Sequence, residues 1–380
     1  MAVLAAHWGG GDEAAWLTRQ VAGALAWHAD VHIVTPDGVD AGTSVESVFV
    51  VHRLATPVDV RAELRRDLLM DAVHSHRWPA DHPEIDELHR ELDRDLIEPW
   101  GAASDVLRAV DPTLVIVAGH RNLGALAAVN DVDPSRPVVL LALARHGDLI
   151  ADGQFTPIFD RAAAILTVTE AERRAVVTAH GRGDRVQRIG APMRANPTAR
   201  SEPNPWVGDS GYVLVRTDAS TDDAGTEQSD LARLLRLRFP DRPVGICHPD
   251  AFCVWHEGRL SSGWPIERSS DLARLMAWAS MTVDLRPGDL FARECVESLL
   301  FATPIVVPAA SRAVEHARTG QGGLWFDGAA ELTQCVDALI DPAIRAALSD
   351  QGRAYAEEEF GSTERFVERV ADACALSSGS

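Results

Sequence analysis

The chain has 380 residues, with 36 basic against 56 acidic side chains and 46% apolar residues. The resulting charge of −20 excludes a nucleic-acid surface and docking on an anionic membrane leaflet, while the length predicts two domains of about 150–200 residues each. Every basic residue is arginine, which excludes any mechanism that requires a lysine.

Taken in chain order, residues 2–6 form a short apolar strand that runs into a Gly-rich turn, HWGGGDE, and then a helix with Leu17, Val21, Ala24 and Leu25 on one face. Strands are expected at 31–35 and 45–54. A stretch rich in Arg, Asp and Glu, 58–110, has the periodicity of two or three helices; Arg61, Arg65 and Arg66 within it read as a solvated face. Strand-like runs at 113–119, 138–143 and 164–169, with a small-residue helix at 122–129, complete a first sheet. Short strands that are apolar on both faces and separated by helices require a parallel sheet covered on both sides.

The Pro-rich segment PMRANPTARSEPNPWVGDSG reads as an inter-domain linker. A second α/β series follows, with strands at 212–216, 243–249, 281–286 and 322–327 and helices at 230–239, 271–279 and 331–340. The predicted organisation is therefore a Rossmann-like domain over 1–191, a linker over 192–211, and a second Rossmann-like domain over 212–355. A C-terminal helical segment, 356–380, is expected to pack back on the first domain and to end in a disordered tail. The fold class is α/β, two doubly wound domains facing a central cleft, where ligands bind at the carboxyl ends of the strands.

No run of about 18 apolar residues occurs, and the first residues lack the basic start and apolar block of a secretory signal, so a cytoplasmic protein with no stable membrane insertion is expected. The five cysteines, 247, 253, 295, 335 and 374, form no paired framework and read as reduced thiols. Cys247, His248, Cys253 and His256 match no standard zinc spacing and read as buried or incidental, so no metal site is expected.

The segment 287–308, PGDLFARECVESLLFATPIVVP, is a loop, a short helix and a buried strand in immediate succession. The helix is expected to start near Phe291 or Ala292, where unpaired N–H groups and the helix dipole suit a phosphate. Asp289 precedes that start and Glu297 lies about a turn and a half inside. This pattern, an acid, seven residues, Glu, a small-residue helix, Thr-Pro and an apolar strand, resembles the signature of the retaining GT-B glycosyltransferases of family 4. Three further segments resemble that family in the same order: the opening HWGGGDEAAWLTRQ, then ILTVTEAERRAVV, and finally GGLWFDGAAELTQCVDALI.

The resemblance implies that Asp289 contacts hydroxyls of a donor sugar and Glu297 the ribose of its nucleotide. The amides near Phe291 and Ala292 would then face the diphosphate, and the glycines Gly10 and Gly11 the donor or acceptor. Two departures qualify it. Asp289 stands where the family has Glu, shortening the reach by about 1.5 Å. Arg216 occupies the family's arginine position, yet Thr221 stands five residues later in place of its lysine, which leaves Arg286 or Arg293 as the clamp on a diphosphate. Arg216 is alternatively a solvated strand-end arginine. Arg145 or His146 falls where the family has a histidine near the reacting carbon, and His120 ends a neighbouring strand. Arg145 and His120 are assigned to the acceptor.

The implied activity is transfer of a hexose from a nucleotide-sugar co-substrate, UDP- or GDP-linked, to a soluble hydroxyl acceptor, with retention at the anomeric carbon and neither metal nor cofactor. The alternative is a catalytically degenerate GT-B homologue acting as a binding or scaffold subunit. A third, less favoured reading is another GT-B enzyme such as a sugar-nucleotide epimerase; a phosphorylase using lysine-bound pyridoxal phosphate is excluded by the absence of lysine.

Overall fold

The computed structural model describes residues 1–6, 8, 13–36, 41–54, 100–119, 122–143, 155–196, 198–200, 211–217, 227–238, 243–247, 251–256, 259–260, 264–265, 269–286 and 291–378. Gly10, Gly11, His120, Arg145, His146, Thr221 and Asp289 lie outside the described residues, as do the helices expected over 58–99. The chain divides into two compact units, Met1–Ile189 with Arg365–Ser380, and Gly190–Glu364.

The first unit is built on strands β1 (Ala2–Ala5), β2 (His32–Thr35), β3 (Gly42–Glu46), β4 (Phe49–Arg53), β5 (Val115–Ala118), β6 (Val138–Leu141), β7 (Ala164–Thr167) and β8 (Val186–Arg188). Among the described residues they form one sheet in the order β3-β4-β2-β1-β5-β6-β7-β8. All neighbouring pairs are parallel except β3 and β4. The sequence pattern predicts one strand over 45–54. The structure instead folds 42–53 into a hairpin, because Ser47 takes the left-handed conformation, φ 56°, and reverses the chain.

β1, β5, β6 and β7 are buried along their whole length, which is why they read as unbroken apolar runs rather than alternating ones. Successive side chains still project to opposite faces. Leu4, Val117, Leu140 and Ile165 pack on one side with Leu107, Val129 and Phe159. Val3, Ile116, Val139 and Leu166 pack on the other with Val21 and Leu25 of helix α1 (Glu13–Ala26) and with Phe366, Val370 and Ala373. These last three lie on the C-terminal helix Thr363–Ser378, which from Arg365 onward belongs to this unit. Each fully buried large aliphatic or aromatic side chain contributes about 1.5–3 kcal/mol.

The second unit holds β9 (Tyr212–Arg216), β10 (Val244–Cys247), β11 (Ala251–His256), β12 (Arg259–Leu260), β13 (Trp264–Pro265), β14 (Ala279–Asp284), β15 (Ile305–Pro308) and β16 (Gly323–Phe326). Their order is β12-β11-β10-β9-β14-β15-β16, with β13 also on β11. β10, β9, β14, β15 and β16 are parallel, and β11 reverses direction to form an antiparallel border. Cys247 and Cys253 sit on β10 and β11 in the register Cys247 with Phe252 and Ile246 with Cys253, so they face opposite sides of the sheet and share no ligand.

In both sheets the chain first builds to one side of its opening strand and then crosses to the other. The crossing point lies between β1 and β5 in the first sheet and between β9 and β14 in the second. Open α/β sheets bind ligands at the carboxyl ends of the strands at such points.

Candidate functional site

At the crossing point of the first sheet, Trp8 is buried and its indole N–H donates to Glu46 Oε2 at 3.1 Å. Arg19 holds the Trp8 carbonyl at 2.5 Å. Across from it, Gly119 turns the chain after β5 with φ 90°, a conformation that favours glycine, and the Asn122 side chain donates to the Ala118 carbonyl. These contacts shape the ends of two loops whose tips, with Gly10, Gly11 and His120, are outside the described residues.

The crossing point of the second sheet is more informative. β14 ends in Asp284, which lies in register with Arg216 on β9, while Cys247 on β10 is in register with Arg216 on the other side. Neighbouring in-register residues of a parallel sheet share a face, so an arginine and an aspartate are placed side by side by strand pairing alone. Their side chains are each 5% exposed and pair at 3.1 Å, Arg216 Nη1 to Asp284 Oδ2. Arg216 is thus a buried, paired group and not a solvated strand end.

Arg286, two residues beyond the strand, folds back onto the same carboxylate. Its Nε donates to Oδ1 and its Nη2 to Oδ2, both at 2.9 Å, a bidentate fork. The Cys295 thiol donates to Oδ2 at 3.4 Å. Glu294 completes the group, with Oε1 3.6 Å from Arg216 Nη2 and Oε2 3.4 Å from Arg286 Nη2. Among the described residues, these two arginines and two carboxylates balance in formal charge. Burial alone would raise the Asp284 pKa, but Arg216 and Arg286 hold its carboxyl well below the usual range. Glu294 is likewise held low, its burial overcome by the same two arginines. Burial pushes the Cys247 thiol up to about 11 and Cys295 well above its ordinary value, so neither is a thiolate nucleophile.

Helix α8 of our numbering, Arg293–Leu300, carries Glu294 and Glu297. Here α2 is Ala103–Val110, α3 Leu123–Val132, α4 Thr156–Arg161, α5 Glu170–His180, α6 Glu227–Arg238 and α7 Ser269–Trp278. α8 begins one to two residues later than the sequence suggests, because Ala292 is in the left-handed conformation, φ 55°, and acts as the N-cap without a side-chain bond. Phe291 and Ala292 are both buried. Two partners fix this entry. His316 Nε2 donates to the Phe291 carbonyl at 2.6 Å, while its Nδ1 accepts from the Tyr355 hydroxyl at 3.1 Å. Burial lowers the His316 pKa despite the Phe291 carbonyl, so the ring is neutral. The far end of α8 is tied to β14, since Ser298 Oγ shares a 2.8 Å bond with Thr282 Oγ1 and reaches the Thr303 carbonyl at 3.1 Å. Replacing His316 by Phe leaves a buried carbonyl without its donor and is expected to cost about 1–3 kcal/mol in urea unfolding.

Glu297 is the exception in this neighbourhood. It is half-buried, and among the described residues no side chain or backbone group hydrogen-bonds its carboxylate. Burial pushes its pKa up to about 7; Arg293 and Arg216 oppose the rise and Glu294 adds to it.

The structure therefore brings Arg216, Arg286, Phe291, Ala292, Arg293 and Glu297 to one sheet end. Glu294, Asp284, Ser298 and His316 join them and were not singled out from sequence. Among the described residues no group of three or more His, Cys, Asp or Glu side chains is placed to hold a metal ion, and no helix is long and apolar enough to cross a membrane.

No family model matches the sequence, and no curated protein matches it. Solved structures do match, over almost the whole chain. An α,α-trehalose-phosphate synthase (UDP-forming) from Burkholderia vietnamiensis is 12% identical with a TM-score of 0.68, covering 98% of this chain and 99% of that one. Sucrose-phosphate synthase from Thermosynechococcus elongatus is 14% identical with a TM-score of 0.64, covering 98% and 97%. HepE of Anabaena in complex with UDP-glucose is 13% identical with a TM-score of 0.62, covering 98% of each chain. The chain has the GT-B fold of these glycosyltransferases. At such identities the likeness is one of fold alone.

Proposed function

We propose that this chain is a retaining glycosyltransferase that moves a hexose from a UDP- or GDP-linked donor to a soluble hydroxyl acceptor. The observation that carries this reading is Glu297, a half-buried carboxylate with a raised pKa and no hydrogen-bond partner among the described residues, beside the crossing point of the second sheet. A half-buried carboxylate with no fixed partner is free to accept from a ligand, and a ribose supplies two adjacent hydroxyl donors. In this reading Asp289 contacts the sugar and the backbone around Phe291 and Ala292 faces the diphosphate. Arg286, Arg293 and Arg216 supply positive charge to the leaving group, so that catalysis is mainly electrostatic preorganisation. Arg145 and His120 belong to the acceptor side, His146 stands with the catalytic groups near the reacting carbon, and Gly10 and Gly11 lie in the loop on the donor side. That HepE was solved with UDP-glucose and that a trehalose-phosphate synthase is UDP-forming support a uridine nucleotide as the first donor to try.

The test is a thermal-shift screen of UDP-glucose, GDP-mannose, related donors and free nucleotides, repeated on Glu297→Ala. A shift with at least one nucleotide, lost in the variant, is expected. Absence of any shift rejects the transferase, and a shift that survives the substitution rejects this site.

The binding-only homologue is the second reading, and one observation favours it. Among the described residues Arg216 and Arg286 are already matched by Asp284 and Glu294, so these two arginines offer a diphosphate little net positive charge. Nucleotide binding without release of nucleoside diphosphate in the presence of sugar acceptors selects it.

A further inference from the structure

We infer that Glu294 is a built-in anion that occupies the phosphate position of this site and must be displaced when a diphosphate binds. The inference rests on the donor-site reading above and adds to it a residue that sets charge specificity.

Four observations converge on Glu294. It lies in the first turn of α8, where backbone N–H groups attract an anion, and its carboxylate already accepts from its own amide. It bridges both arginines of the crossing point, as a phosphate would. Its grip is loose: 3.4 and 3.6 Å, with 23% of the side chain exposed, against 2.9 and 3.1 Å and 5% exposed for Asp284. Asp284 is therefore the fixed counter-ion and Glu294 the exchangeable one. Finally, Arg216 Nε is buried without a hydrogen-bond partner, so the guanidinium keeps donor capacity that the two carboxylates do not use. A tetrahedral phosphate offers more acceptor directions than a carboxylate, and swinging Glu294 outward opens both arginines to it. The consequence is selectivity: with Arg216 and Arg286 already matched by carboxylates among the described residues, a nucleoside enters through Glu297 while a diphosphate must first displace Glu294.

Calorimetric titration of inorganic pyrophosphate, UDP and uridine into the full-length chain and into Glu294→Gln and Glu294→Ala tests this. Removing one negative charge at contact distance is expected to tighten pyrophosphate and UDP about tenfold or more, with a steeper salt dependence, and to leave uridine unchanged. Equal or weaker pyrophosphate binding by the folded variants overturns the inference, as does absence of pyrophosphate binding to any of the proteins. A measurement on the unsubstituted protein stands if neither variant folds: the side-chain carboxyl carbon resonance of Glu294 shifts on pyrophosphate saturation while that of Asp284 does not, and a stationary Glu294 resonance overturns the idea. Tightened pyrophosphate binding with no nucleotide-sugar bound supports the role of Glu294 and rejects the transferase. Nucleotide binding lost in Glu297→Ala with no gain in Glu294→Gln does the reverse.

Discussion

Glu297→Gln is expected to make the protein more stable than the wild type at pH 8 while changing its stability little at pH 4.5. The Glu297 carboxyl is raised from its ordinary 4.5 to about 7, chiefly by burial. Between those values the folded state holds a proton that the unfolded state has lost, so stability falls as pH climbs from about 4.5 to about 7 and then levels off. Two and a half pH units correspond to about 3 kcal/mol. Glutamine fills the same space without an ionisation to suppress, and its unfolding free energy lacks this slope. Urea unfolding of both proteins from pH 4.5 to 8 measures it: curves that diverge by about 2–3 kcal/mol are expected, and parallel curves mean that Glu297 is solvated or paired. The same shift bears on ligand binding. Two ribose hydroxyls donating to the carboxylate favour its charged form, so nucleotide affinity should rise with pH through 7 in the wild type and be flat in the variant. A destabilising carboxylate kept at a sheet end is the signature of a residue retained for a ligand rather than for the fold.

Much of the fold was legible because both sheets are made of parallel strands buried on each face. VIVA at 115–118, VVLL at 138–141 and AILT at 164–167 contain no polar residue apart from the closing threonine, and their shortness and β-branched content suit strands buried on both faces. The hairpin at 42–53 was less legible, since its turn rests on Ser47 in a left-handed conformation and not on a glycine. The candidate site divides in the same way. Glu297 and Arg216 stood out through the resemblance to the family 4 glycosyltransferases. Asp284 was visible only as a charge closing the apolar run of MTVD, and its partnership with Arg216, 68 residues away, follows from strand register, which the sequence does not display. Glu294 falls at neither acidic position of the motif, so nothing in the sequence marks it. His316 gave no signal at all, because its role depends on a helix from elsewhere in the chain, Pro342–Glu359, presenting Tyr355 to it. That helix reaches its place through a close backbone approach: a Cβ on Gly352 would lie 2.6 Å from the Gly322 Cα.

Asp284→Asn should be the most damaging single substitution at the site, costing about 3–5 kcal/mol in chemical unfolding. The change keeps the side-chain volume, so the loss is electrostatic. Among the described residues it leaves Arg216, 5% exposed, with Glu294 at 3.6 Å as its remaining carboxylate, and it breaks the bidentate fork to Arg286. The cluster then carries a net positive charge in a place with little water to screen it. The cost of one unmatched charge differs from the worth of the pair, and a second variant separates them. Replacing both partners, Arg216→Met with Asp284→Leu, removes the mismatch, and Arg286 and Glu294 remain to neutralise each other. The double variant should be more stable than Asp284→Asn, within about 2 kcal/mol of wild type, because two apolar side chains suit the buried sheet end better than one orphaned ion. If the double variant is as unstable as the single one, the arginine and aspartate hold the strands together directly. If it is stable but has lost pyrophosphate and UDP binding while uridine binding survives, then the buried ion pair was retained for the phosphate and contributes little to the fold, which is the division of labour that the loose Glu294 and the tight Asp284 imply.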